Sequence, residues 1–278
     1  MRHLNPEAAP ITRTEFGHFA QRVQGALAGV QRDLLRLKRR VYAWEAERAL
    51  AGAGRSPRTR IEFRSQFGED GVLWELLGGQ TSGFYIEVGA FDGRSFAVTY
   101  ALDAMGWDGL LIEAIPERAE QCRANRPHAR VVHAALGARG AAGEIEFQVV
   151  EDHFGGMLSY TDARGEHAKL IESQGMKRRA VRVPLTSMDD LLKDHAGPID
   201  AAVIDVEGGE VTVLGGFDLA RFKPRVLLLE DNSGGKDQAL ASYMEKQPYV
   251  FVGWVEVNRI YVHRDEAQVI ARAEGRAD

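Results

Sequence analysis

A second cysteine is missing from this sequence. With Cys122 alone among 278 residues, no disulfide can close within the chain, and metal sites built from several thiolates are excluded. Also missing is an apolar run long enough to cross a bilayer, and the opening Met1-Arg-His-Leu-Asn-Pro6 lacks the apolar stretch of a signal peptide. A cytoplasmic location is therefore expected. No charge of one sign dominates: the net charge is −5, and nothing global points to nucleic acid. What is present is 45% apolar and 27% charged residues, the composition of a soluble globular protein with room for one large domain and extensions. The charge is uneven. Residues 1–60 carry 12 Lys and Arg against 5 Asp and Glu, a balance of +7 that leaves −12 for the rest.

The N-terminal excess lies on a heptad. After a polar start with Pro6 and Pro10, a repeat runs from Phe16 to Trp44. Ala20, Leu27, Leu34 and Val41 take position a, and Val23, Val30, Leu37 and Trp44 take position d. Asp33 and Arg40 then fall at g, Lys38 and Glu45 at e, so a parallel homo-oligomer would pair opposite charges between neighbours. The alternative is a lone amphipathic helix lying on its own domain. Ala51-Gly-Ala-Gly-Arg-Ser-Pro57 reads as a flexible linker. Ser65-Gln-Phe-Gly-Glu-Asp70 reads as a polar turn leading into a short helix.

Beyond the linker, strands and helices alternate. Phe84-Tyr-Ile-Glu-Val-Gly-Ala-Phe-Asp-Gly-Arg-Ser95 starts as a strand buried on both faces and turns on Gly89 and Gly93, with a helix expected from Ser95 to about Met105. The two glycines are four apart, and the third glycine of a dinucleotide fingerprint is absent. Glu87 before the turn suits a ligand with a positive group better than a pyrophosphate. Gly109-Leu-Leu-Ile-Glu113 is a second strand; its terminal carboxylate stands where a ribose diol is bound in nucleotide-binding βαβ units. A helix from Pro116 to about Asn125 and a strand at 130–134 follow. Residues 143–185 break the alternation with extra extended pieces and a loop holding His153, Ser159 and Tyr160, near the mouth of the sheet. The fourth strand ends at Asp205 and runs into Val206-Glu-Gly-Gly-Glu210; the fifth, 225–232, ends in further carboxylates. Acidic ends on successive strands suit a divalent-metal site or arise by chance, and no metal ligands are assigned. The stretches 249–254 and 259–263 read as a closing antiparallel hairpin.

Four blocks together resemble the FkbM family of S-adenosylmethionine-dependent methyltransferases, over roughly residues 60–263. They are Ser65-Gln-Phe-Gly-Glu-Asp70, Phe84-Tyr-Ile-Glu-Val-Gly-Ala-Phe-Asp-Gly93, Gly106-Trp-Asp-Gly-Leu-Leu-Ile-Glu113 and Val203-Ile-Asp-Val-Glu-Gly-Gly-Glu210. The last carries the family's Asp-x-Glu-Gly-x-Glu signature. The resemblance implies an α/β class I methyltransferase fold, Rossmann-like, with a seven-stranded sheet whose last strand is antiparallel. It also implies S-adenosylmethionine as cofactor and a hydroxyl oxygen as acceptor, often on a sugar or other secondary metabolite. Residues 59–265 are the expected catalytic domain, 1–58 an N-terminal helical extension, and 266–278 a polar tail. Glu87, Gly89, Asp92 and Gly93 are expected around the methionine portion, with Gln66, Ala90 and Ser95 beside them. Glu113 is expected at the ribose, Ala114 at the adenine, and Asp205 at the methionine amine or the transferring methyl. Glu207 is the first candidate base and His153 the second. Two rival readings stay open: a NAD-dependent oxidoreductase on a similar sheet, and a non-catalytic cofactor-binding scaffold that recruits a partner enzyme.

Overall fold

The computed structural model describes residues 13–150 and 177–275. The chain divides after Lys38 into an N-terminal unit and a large α/β unit. Helix α1 (Arg13–Gly52) contributes to both. In the first unit the seam residues Val23, Leu27, Val30, Leu34 and Leu37 are all exposed. In the second, Ala46 and Leu50 are buried and Tyr42, Ala43 and Ala49 pack beside them, while the seam residues Val41 and Trp44 stay exposed. The helix therefore docks by a face other than its a/d seam. Arg39 donates to the Ser65 carbonyl, and Tyr42 bonds Glu75. These contacts tie residues 39–52 to the α/β unit. The linker itself is tied down: Arg55 donates to Thr81 O at 2.7 Å, and Arg58 Nη1 to Trp107 O at 2.7 Å.

The α/β unit then runs α2 (Glu69–Leu76), β1 (Phe84–Val88), α3 (Tyr100–Met105), β2 (Asp108–Glu113), α4 (Pro116–Asn125), β3 (Arg130–His133) and β4 (Ala135–Leu136). It continues with β5 (Glu144–Val150), β6 (Arg178–Thr186), α5 (Met188–Leu191), β7 (Ala201–Ile204), α6 (Glu210–Leu214), α7 (Leu219–Phe222) and β8 (Val226–Glu230). The close is α8 (Gln238–Met244), β9 (Tyr249–Val255), β10 (Asn258–His263) and α9 (Ala267–Ala273). Seven strands form one sheet in the order β3-β2-β1-β7-β8-β10-β9, with β10 antiparallel to both neighbours. β4, β6 and β5 make a small second sheet. This is the seven-stranded class I methyltransferase arrangement, reversed strand included. Successive residues of a strand face opposite sides, so Tyr85, Leu111 and Val203 pack in one core while Ile86, Ile112 and Ile204 pack in the other. Burial on both faces is why these strands read as unbroken apolar runs. The last helix is no free tail, since Val269 is buried and Arg272 donates to Leu76 O at 3.0 Å.

One expected helix starts late. Residues 91–99 form a turn-rich loop before α3 because local polar groups claim the backbone first. Asp92 Oδ1 accepts from Arg94 N at 2.8 Å and Ser95 N at 2.6 Å; Glu87 accepts from Val98 N at 2.8 Å and Thr99 Oγ1 at 2.5 Å. Arg126, fully buried, closes the arrangement from the far side. It donates to Gly93 O at 3.0 Å and Thr99 O at 3.2 Å, and lies 3.4 Å from Asp103 and 3.9 Å from Glu87.

Candidate active site

The sheet changes direction of build between β1 and β7, where the chain leaves β1 for β2 on one side and returns to β7 on the other. Ligands of open α/β sheets bind outside the carboxyl ends of strands at such a point. Here those ends open onto a cleft of about 870 Å³, its mouth included. Gly89, at φ 77°, ends β1. A Cβ on it would overlap the Asp205 carbonyl oxygen, so only glycine lets the two strand ends come this close. The N–H groups of Gly89 and Ala90 both turn back onto Ile112 O, at 3.0 and 3.1 Å, joining the turn to β2.

Glu113, at the end of β2, is buried on the cleft wall. Phe91 N donates to its Oε2 and Ile115 N to its Oε1, each at 2.8 Å. Both oxygens keep acceptor capacity after that. Burial pushes this carboxyl up to about 7, with the N–H bonds and Arg118 acting the other way. Next to it Ala114, Ile115, Leu136 and Phe147 make an apolar slot. The Ala114 carbonyl is engaged by His133 Nε2 at 3.0 Å.

Asp205 and Glu207 make the opposite wall acidic, and Glu230 is buried close to them, off the wall. Carboxylate oxygens of Asp205, Glu207 and Glu230 all lie within 4.8 Å of one another. Asp205 is exposed to solvent, and the crowding of atoms around it, followed by repulsion from Glu207, pushes its carboxyl upward. Glu230 is pushed upward too, by burial and then by Asp205. Glu210 faces inward under the loop and accepts from Val206 N at 3.2 Å and Gly208 N at 3.1 Å, which holds the Asp205–Glu207 segment in place. None of the described residues that line the cleft is basic.

A methyltransferase FkbM domain model matches residues 87–251, the stretch that builds β1 through β9 and this cleft. The chain belongs to the FkbM methyltransferase family. It is thus an S-adenosylmethionine-dependent methyltransferase, and the cleft fits that cofactor. Glu113 offers a carboxylate to a ribose diol, the apolar slot offers room for a flat base, and the acidic wall suits an ammonium and a sulfonium. Membership of a methyltransferase family removes the oxidoreductase reading, in agreement with the missing dinucleotide fingerprint. No curated protein matches the chain. Solved structures of similar shape include a human methyltransferase 10 domain containing protein, at 14% identity and TM-score 0.39, covering 69% of this chain and 78% of that one. A TehB-like S-adenosylmethionine-dependent methyltransferase from Corynebacterium glutamicum has 13% identity and TM-score 0.38, covering 78% and 93%. An O-methyltransferase from Bacillus cereus in complex with S-adenosylhomocysteine has 11% identity and TM-score 0.35, covering 80% and 89%.

In this FkbM chain the cleft brings together Gly89, Glu113, Ala114, Asp205 and Glu207 of the expected site residues. Glu87, Ala90, Asp92, Gly93, Ser95 and Gln66 are not on its wall. Glu87 points into the protein toward Val98, Thr99 and Arg126. Asp92 and Ser95 hold the loop they sit in, and Gly93 packs against Cys122 and Arg126. Ala90 is buried in the turn, and Gln66 is exposed beside the Ser65–Phe96 bridge. These residues shape the turn; they do not face the cleft. His153, Ser159 and Tyr160 lie outside the described residues. One residue of the cleft wall was missed in the sequence: Phe147, whose place on an alternating strand was the available signal.

Proposed function

We propose that this enzyme methylates a hydroxyl oxygen on a sugar, a glycan or another secondary metabolite. The observation that carries the reading is the pair of carboxylates, Asp205 and Glu207, on the cleft wall. A hydroxyl must give up its proton as its oxygen takes a methyl group, and a carboxylate beside it can accept that proton. S-adenosylmethionine supplies an electrophilic methyl group when bound. Glu113 accepts from the ribose hydroxyls, Ala114 and Phe147 flank the adenine, and Asp205 faces the methionine amine or the methyl group. Glu207 takes the acceptor's proton, with His153 as the second candidate. The turn residues Glu87, Asp92 and Gly93 hold Gly89 and Ala90 under the methionine portion. The same reading places the enzyme in the cytoplasm, in keeping with a single buried free thiol, Cys122; no described helix is long and apolar enough to cross a membrane. Mass spectrometry of the native glycan or metabolite, with and without the protein, tests the reaction. A methyl group gained on oxygen supports it, and one gained on nitrogen or carbon overturns it.

The ribose assignment has a pH signature. Hydroxyl donors bind the ionised carboxylate, so they favour the charged form of Glu113. Its folded-state value of about 7 means that ionised Glu113 becomes scarcer as pH falls below neutrality. Affinity for S-adenosylhomocysteine is expected to drop up to about tenfold per pH unit below about 7 and to level off above it. Glu113→Gln should flatten this slope and cost about 1.5–3 kcal/mol of binding at high pH. Calorimetric titration across this range checks both, and an unchanged profile in the variant would take Glu113 out of the ribose site.

The proposal extends to assembly as a parallel homo-oligomer through residues 16–44. The seam residues Val23 to Trp44 are between 39% and 65% exposed, although they are the most apolar positions of α1. The docked segment uses Ala46 and Leu50 instead, so the seam is left for a partner. Asp33 against Lys38, and Arg40 against Glu45, give attractive pairs with a second copy in parallel register. Leu27→Glu with Leu34→Glu is expected to yield a monomer by light scattering. Full-size particles in this double variant would place the interface elsewhere.

A further inference from the structure

We infer that Trp254 stacks against a sugar ring of the acceptor, remote from the ring that receives the methyl group, so that the acceptor is an oligosaccharide chain. This deepens the proposed function and rests on it. One row of paired residues crosses the sheet: Ile112, Val88, Ile204, Leu229, Arg259 and Trp254. Residues paired across neighbouring strands point to the same face. Ile112 and Val88, at one end of the row, line the cleft. Trp254, at the other end, therefore stands on the face of the sheet that the cleft occupies. β10 is antiparallel to both β8 and β9, so β9 runs the same way as β8. Trp254, near the end of β9, thus lies toward the same carboxyl edge as the cleft. Three strand spacings separate it from β7, about 14 Å in all at about 4.8 Å each. One sugar ring does not span that distance; a short chain of rings does.

The ring is both exposed and held. Trp254 is 40% exposed, while Arg259, only 7% exposed, lies under one of its faces with the guanidinium 4.8 Å from the ring centre. Arg259 is fixed in turn by Asp231, to which it donates at 2.6 Å. Phe251 meets the ring edge-on at 5.9 Å. One face is thus covered and the other is left to solvent. The negative face of an aromatic ring attracts the polarised C–H bonds on the apolar side of a sugar. The patch is too small for a protein partner. Phe251 and Trp254 expose under half of about 150–250 Å² each, or about 200 Å² together, against about 800 Å² a side in a stable protein interface. Val250, also exposed, pairs with Val262 of the other core and belongs to the opposite face. Between cleft and ring runs a polar path, the loop after β8. Its exposed Asn232 reaches Glu207 Oε2 at 3.5 Å, and a Cβ on its Gly235 would stand 3.4 Å from the Trp254 ring. The loop therefore connects the candidate base to the platform and offers hydrogen-bonding groups to the hydroxyls of a chain laid across it.

The test uses the full chain and two probes: the unmethylated native acceptor from cells lacking the enzyme, and the single sugar that carries its methylated position. Trp254→Ala and Trp254→Thr, the latter suited to a strand, are first shown to melt cooperatively. Both are expected to raise KM for the native acceptor at least tenfold and to leave kcat within twofold. KM for the single sugar and affinity for S-adenosylhomocysteine should not change. Trp254→Phe should keep most of the native KM, and Val250→Ala all of it. An unchanged KM in the alanine and threonine variants would overturn the inference, as would a parent enzyme that takes the single sugar as well as the chain. Particles that shrink in these variants at unchanged KM would make the ring a contact between copies and overturn it too. An acceptor without sugar, methylated on oxygen, would overturn it while sparing the proposed function. Methyl groups found on the nitrogen of an amino-sugar chain, with the KM of that chain still raised in the variants, would uphold the platform and sink the hydroxyl acceptor instead.

Discussion

Glutamine in place of Glu207 is expected to slow methyl transfer by about 10²–10⁴-fold while the folded protein keeps its hold on S-adenosylhomocysteine. The substitution preserves shape and removes the charge that accepts a proton. Glu207 is half-buried on the cleft wall, and its Oε2 reaches Asn232 Nδ2 at only 3.5 Å, so the amide has room to replace it. Its backbone adds a second, independent readout. Glu207 sits at φ 55°, a left-handed conformation that a side-chain-bearing residue adopts at a cost of about 1 kcal/mol or more. Glu207→Gly should relieve that cost and raise stability by about 1 kcal/mol while activity is lost. A stabilised but inactive glycine variant would show that the backbone tolerates strain for the sake of this carboxylate. Loss of cofactor affinity in Glu207→Gln would make the residue a cofactor ligand, and an unaffected rate would pass the proton to another group. Turnover in both variants is read by single-turnover kinetics, and affinity by calorimetry.

Alanine at Gly89 is expected to cost about 2–6 kcal/mol and to abolish tight cofactor binding. Two penalties add. The first is conformational, from φ 77°, at about 1–3 kcal/mol. The second is steric: the new Cβ would overlap the carbonyl oxygen of Asp205, a backbone atom that no rotamer change can move. Relief requires β1 and β7 to separate at their ends, with a cost of about 1–3 kcal/mol for overpacking. That displacement carries Asp205 and Glu207 away from Glu113, which is why binding should fail with stability. Gly208→Ala separates the two penalties. Gly208 has φ 97° and no atom within 4 Å of its would-be Cβ, so it should show the conformational cost alone. Urea denaturation midpoints of both variants check this. Equal costs would mean that the close approach of the strand ends is not what demands glycine at 89.

What the sequence determined by itself were the features carried by neighbours in the chain. Strands buried on both faces need continuous apolar runs, so 84–88, 109–113 and 201–204 were legible, as was the hairpin of β9 and β10. The turn at Gly89, the strand-end acids Glu113 and Asp205, and the FkbM blocks were legible for the same reason. Direction and adjacency were not. A strand's alternation tells that Glu87 faces opposite to Ile86 but not which face meets the cofactor; Val98, Thr99 and Arg126, distant in the chain, drew it inward. The helix expected at Ser95 lost its first turn to side chains that bind the same backbone. Phe147 reached the cleft wall through a second sheet, and Glu230 reached Asp205 because β8 lies beside β7. The heptad named the apolar stripe of α1, yet only packing decided that Ala46 and Leu50, off the stripe, meet the domain. Such pairings join residues tens of positions apart, and the free energy that selects them is gained only when the whole core closes.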